Sequence, residues 1–124
     1  MKWNLKEVIK IIKNGKLYIL WTSDDKITFK NMISMYALNG KKNNWWDEVE
    51  IIIWGSPAKL VAQNSDIQKH IRLLIDNGVK ISACKACADE LNVTQKLKVL
   101  DIEVKYWGEP LTKILKNNEN LITL

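Results

Sequence analysis

The chain has 124 residues, 47% of them hydrophobic and 27% charged, enough for one compact domain with its own core and too little for two. Its formal net charge of +5 comes from 19 basic against 14 acidic residues, but the lysines are dispersed, with Lys41-Lys42 the only adjacent pair, so a solvated lysine surface is expected and no nucleic acid partner. No apolar run approaches the roughly 18 residues needed to cross a bilayer, and lysines interrupt the apolar start before a signal-peptide core forms. No membrane association is therefore expected; the expectation is a cytoplasmic protein whose two cysteines stay reduced.

Leu5, Val8, Ile9 and Ile12 recur at helical spacing before Gly15 and predict a short amphipathic helix. Residues 16–21 form an apolar run rich in strand formers, as in a strand buried on both faces. Thr22-Ser23-Asp24-Asp25 supplies cap chemistry for a helix with Phe29, Ile33, Tyr36, Ala37 and Gly40 on one face, stopped by Asn39-Gly40. After Trp45-Trp46, residues 49–54 read as a second buried strand, broken at Gly55-Ser56-Pro57, and Pro57 opens the next helix. Ser65 and Gln68 form a capping box before Ile67, Ile71, Leu74 and Ile75, and Gly78 is the stop.

A third strand over residues 79–83 runs directly into Cys84-Lys85-Ala86-Cys87. Thr94 caps a helix containing Leu97 and Leu100, residues 102–107 form a fourth strand, Gly108-Glu109-Pro110 turns into a helix over residues 111–116, and residues 121–124 close with a short strand. Strands alternating with helices predict an α/β protein, a three-layer α/β/α sandwich around a mostly parallel five-stranded sheet. With no linker or internal repeat, residues 1–124 read as a single domain.

Ligands of open parallel sheets bind beyond the carboxyl ends of the strands. Those ends carry Trp21-Thr22-Ser23, Trp54-Gly55-Ser56, Ala83-Cys84 and Trp107-Gly108, so three of the six tryptophans share an edge with Cys84. Two readings stand for the indoles: they wall a pocket or docking surface around the sulfur, with Gly55 and Gly108 allowing close backbone approach, or they plug the sheet end or an oligomer interface. Ser23, Asp24 and Asp25 either orient a ligand or cap the following helix. Gly55-Ser56-Pro57-Ala58-Lys59 lacks the glycine patterns of Walker A and dinucleotide sites, so nucleotide binding is not expected.

A cysteine that closes a strand before a helix start lies near backbone N–H groups, which favour thiolate. Three chemistries compete for Cys84 and Cys87. A C-x-x-C dithiol is one, although the pair follows the third strand, whereas thioredoxin-like proteins place it after the first. Zinc needs four ligands, and two cysteines plus the single His70, on a helix flank, are too few in one chain, so neither metal nor cofactor is expected. The third is a nucleophilic thiolate that carries sulfur as a persulfide. There Cys84 is the carrier, Cys87 a resolving thiol or a small buried residue, and Lys85 either a support for anionic sulfur or a solvated lysine.

Trp21-Thr22-Ser23, Asn31-Met32 through Tyr36-Ala37, Trp45-Trp46-Asp47-Glu48-Val49, Ile53-Trp54-Gly55 with Ala58-Lys59-Leu60, Ala83-Cys84-Lys85-Ala86-Cys87-Ala88 and Tyr106-Trp107-Gly108-Glu109-Pro110-Leu111-Thr112 together resemble the small DsrE-like proteins of archaea and anaerobic bacteria, over nearly the whole chain. The resemblance implies a DsrE/DsrF/DsrH-type fold, assembly as homotrimers or hexamers, and sulfur relay through a cysteine persulfide in sulfur oxidation or tRNA thiolation. Cys84 matches the working cysteine after a central strand; Cys87 is a departure from the pattern. The expected function is thus a sulfur carrier or sulfurtransferase with donor and acceptor proteins as partners. The alternatives are an oligomeric module binding a small ligand or partner in a tryptophan-walled pocket, and a Cys84/Cys87 redox switch.

Overall fold

The computed structural model describes residues 4–5 and 15–124. The N-terminal helix expected over Leu5, Val8, Ile9 and Ile12 falls, Leu5 aside, outside the described residues. The apolar run after Gly15 forms β1 (Lys16–Trp21). Asp25 then caps a helix, its carboxylate accepting from the N–H groups of Ile27 at 2.9 Å and Thr28 at 3.3 Å. That helix, α1, spans residues 26–42 and contains a π-helical stretch, Phe29–Ser34, which the sequence did not announce. It buries Phe29, Ile33, Ala37 and Gly40. Gly40 does not stop it: the helix runs on to Lys42, and a Cβ at Gly40 would stand 3.3 Å from the Trp46 ring, so the glycine permits close packing.

The chain continues through β2 (Glu48–Ile53), α2 (Pro57–Gln63), α3 (Ser65–Asp76), β3 (Lys80–Cys84), α4 (Lys85–Glu90), α5 (Thr94–Val99), β4 (Glu103–Lys105), α6 (Gly108–Lys116) and β5 (Asn120–Thr123). Two expected caps are corrected. Asn64, not Ser65, caps α3 by accepting from the Ile67 N–H at 2.9 Å, while the Gln68 amide donates to the carbonyls of Val61 and Ala62. Thr94 is the first residue of α5, and its hydroxyl donates to Asp89 rather than capping. β4 is three residues long where six were expected, because Ile102 precedes the pairing and Tyr106 and Trp107 have already left the sheet.

The five strands lie in the order β4-β3-β2-β1-β5, and every pairing among them is parallel. From β1 to β4 each crossover steps in one direction, so right-handed connections put α1 to α5 on one face. The last connection returns across the sheet to pair β5 with β1, which sends α6 to the opposite face. Two buried clusters match these layers. Leu17, Ile19, Trp21, Val49, Ile51, Ile53, Ile81 and Ala83 face helix residues such as Phe29, Ile33, Ile67, Ile71 and Leu97. On the other face Ile52, Cys84 and Trp107 meet Ile114 and Leu111 of α6. This is the expected three-layer α/β/α sandwich.

Candidate functional site

Cys84 is both the last residue of β3 and the residue preceding α4. β3 and its neighbour β4 send their following helices to opposite faces of the sheet. In open parallel sheets such a divergence leaves a crevice at the carboxyl ends of the strands. Cys84 closes one wall of it, opposite Lys105 in the β3–β4 register. Its side chain is buried, 4% exposed, among Ile52, Trp107 and Ile114. α4 has only six residues, so its dipole is a weak source of thiolate stabilisation.

Cys87 lies one turn further on and packs against the same cluster, yet it is half-buried. It lines an open groove of about 240 Å³ with Gly55, Ser56, Glu90 and Leu91. Burial pushes its thiol above the usual cysteine range, and the hydrogen bond to Cys84 pushes it the same way; the Gly55 backbone amide pulls it down. Gly55 is required for its backbone, at φ 87°, and not for close approach, since nothing lies within 4 Å of a Cβ there; Gly108 likewise has open space around it.

The tryptophans divide between the faces. Trp21 is fully buried on the α1 side, stacked on Phe29 with ring centres 4.3 Å apart, and its indole N–H donates to the Ser23 carbonyl at 2.5 Å, so it is core and no wall of the site. Trp54 and Trp107 belong to the cluster around Cys84. Trp107 is 2% exposed, its indole N–H has no partner among the described residues, and Lys105 stands 4.4 Å from its ring centre.

Thr22 is occupied with the chain end: its N–H and hydroxyl both donate to the Leu124 carbonyl. Ser23 accepts from the Asp25 N–H, and Asp25 caps α1, so helix capping accounts for both. Lys85 is engaged by Asp89 at 2.5 Å and lies 5.5 Å from the Tyr106 ring centre. Asp89 raises the Lys85 ammonium, and Lys85 with Thr94 holds the Asp89 carboxyl below the ordinary carboxylate range. The fold therefore brings together Cys84, Cys87, Trp54, Gly55, Ser56 and Trp107, and leaves Trp21, Thr22 and Ser23 in structural roles. Glu90 and Leu91 were not singled out from sequence, although their spacing of three and four residues from Cys87 puts them on one helix face.

The model of the DsrE/DsrF-like family matches residues 16–124. The chain belongs to the DsrE/DsrF-like family. Among solved structures, this DsrE-like chain is similar to BT1422 from Bacteroides thetaiotaomicron, a conserved protein of unknown function, with 43% identity, a TM-score of 0.88, and coverage of 90% of this chain and 96% of that one. The ychN protein from E. coli shares the fold at 10% identity, with a TM-score of 0.64 over 91% of this chain and 100% of that one. No curated protein matches the DsrE-like sequence. No helix among its described residues is long and apolar enough to cross a membrane, and no group of three His, Cys, Asp or Glu side chains among them is placed to hold a metal ion.

Proposed function

We propose that this DsrE-like protein is a sulfur-relay protein that carries sulfane sulfur as a persulfide on Cys84, in a cytoplasmic homo-oligomer that receives sulfur from a donor and yields it to an acceptor protein. The observation that carries this reading is the position of Cys84 at the carboxyl end of β3, where the connections of β3 and β4 diverge. Membership of the DsrE/DsrF-like family supports it. A terminal sulfur on Cys84 would lie against Ile52, Trp107 and Ile114, where water and free thiols have poor access. Lys105, beside the Trp107 ring, supplies positive charge near an anionic sulfur.

The test is intact-mass analysis after exposure to a persulfide donor. After the donor is removed, the wild type keeps the mass of one sulfur atom through a brief wash with a low concentration of thiol, a strong reductant strips it, and Cys84→Ser loses in the thiol wash whatever it has taken up. Equal retention by Cys84→Ser rejects the reading. The contact between Cys84 and Cys87 favours a dithiol switch as second reading. Its signature in the same spectra is the loss of two hydrogens under mild oxidation, requiring both cysteines.

A further inference from the structure

The persulfide reading leaves an access problem, because Cys84 is buried while its neighbour Cys87 borders the groove. We infer that Cys87 is the receiving thiol of a two-station relay: it takes the sulfane sulfur from the persulfide of a small zwitterionic thiol, such as an amino acid or short peptide, and passes it inward to Cys84. The inference rests on the persulfide role proposed for Cys84.

The groove gives the substrate class. The space beside Cys87 adjoins a second hollow of about 320 Å³, with which it shares Ser56 and Leu91, and which extends to Asp24 and Lys59. The side chains of Asp24 and Lys59 make no hydrogen bond or ion pair among the described residues. An acid and a base free at the far end, apolar Leu60 and Leu91 between, and a thiol at the near end suit a molecule with an amine, a carboxylate and a terminal sulfur. Inorganic sulfide species have no use for the charged end.

The steps balance without an oxidant. The Cys87 thiolate attacks the outer sulfur of R–S–SH; a Cys87–sulfur bond forms, the bond from that sulfur to R–S breaks, and the departing thiolate takes up the proton Cys87 released. The Cys84 thiolate then attacks the outer sulfur of the Cys87 persulfide. Cys84 gains the sulfane sulfur, and Cys87 leaves as thiolate and recovers the proton given up by Cys84.

The probes are glutathione persulfide and inorganic polysulfide, with sulfur uptake followed by intact mass. Cys87→Ser loads from glutathione persulfide more slowly than wild type by about tenfold or more, since a buried thiol must then be reached directly, whereas polysulfide loads Cys84 in both. Cys84→Ser takes sulfur from glutathione persulfide onto Cys87 at the wild-type initial rate and then loses it to added thiol faster than wild type does. Lys59→Ala raises the half-saturating concentration of glutathione persulfide and leaves polysulfide loading unchanged. Wild-type loading rates in Cys87→Ser, no uptake in Cys84→Ser, or an unchanged half-saturation in Lys59→Ala overturn this inference while leaving a Cys84 persulfide standing. Absence of uptake by the wild type from either donor overturns both.

Discussion

Lys16 reaches across from β1 to place its ammonium 3.1 Å from the carboxylate of Glu50, which is only 2% exposed and also accepts the Ser82 hydroxyl at 2.8 Å. The three residues occupy the same sheet face as Cys84, nearer the amino ends of the strands. A buried carboxylate with two donors is tolerable; with its cation removed it is a charge in poor solvent. Burial works against the Lys16 ammonium, but Glu50 and, more weakly, Tyr18 outweigh it, and the net effect lifts its pKa above 10.5.

Lys16→Met is therefore expected to destabilise the protein by about 2 kcal/mol at neutral pH, less than a fully buried pair because Lys16 is partly open to water. The sign with pH follows from the raised value. The contribution is complete below the unfolded lysine value of 10.5 and disappears as pH climbs through the higher folded one. Urea midpoints of the two proteins should differ at neutral pH and converge in strong alkali; a gap that stays constant throughout would show that the ion pair is not its source.

Cys87 should be alkylated by iodoacetamide with a pH midpoint above that of a free cysteine, because burial and Cys84 both disfavour its thiolate. Cys84→Ala removes the second of these causes and moves the midpoint down, though not to the free value, since burial remains. Gly55→Ala forces a side chain into the φ 87° backbone and disturbs the amide that stabilises the thiolate, so it moves the midpoint up. An unchanged profile in both variants would contradict the contacts described for Cys87.

Lys85→Met should alter sulfur loading by less than about threefold, because the Lys85 charge is already spent on the exposed Asp89. A loss as large as that of Cys84→Ser would return Lys85 to the site.

Asp25→Ala removes the cap of α1 and is expected to cost about 1 kcal/mol in urea unfolding without changing sulfur uptake. A variant with normal stability and impaired uptake would instead assign Asp25 to ligand binding.

The layers of this fold were legible because parallel strands covered on both faces need no alternation: residues 16–21 and 49–53 are apolar almost throughout. Glu50 is the exception that the pattern concealed, since a lone acidic residue in such a run looks like a solvent position until Lys16 and Ser82 are seen to meet it. Helix ends were read from glycines, whereas Asn44, Asn92, Asp101 and Asn118 adopt positive φ at turns after α1, α4, α5 and α6; asparagine and aspartate tolerate that region too. The edge bearing Cys84 was legible from strand ends alone. What was not legible was which face each tryptophan takes and which cysteine meets solvent, because both depend on the point where β3 gives way to α4.

The pairing of β5 with β1 joins Leu17 to Asn120 and Leu20 to Thr123, segments about a hundred positions apart in sequence. During synthesis β1 emerges early and pairs with β2, but its other side keeps a bare row of amide and carbonyl groups until the last strand arrives. The closure is long-range and therefore slow. Until it happens the run Leu17-Tyr18-Ile19-Leu20 is an unguarded edge, open to any nascent strand of similar character. A chain cut short before Asn120 would stay in that condition; the final strand covers that run and leaves at the edge a strand of only four residues, with polar Asn120 and Thr123 at its ends.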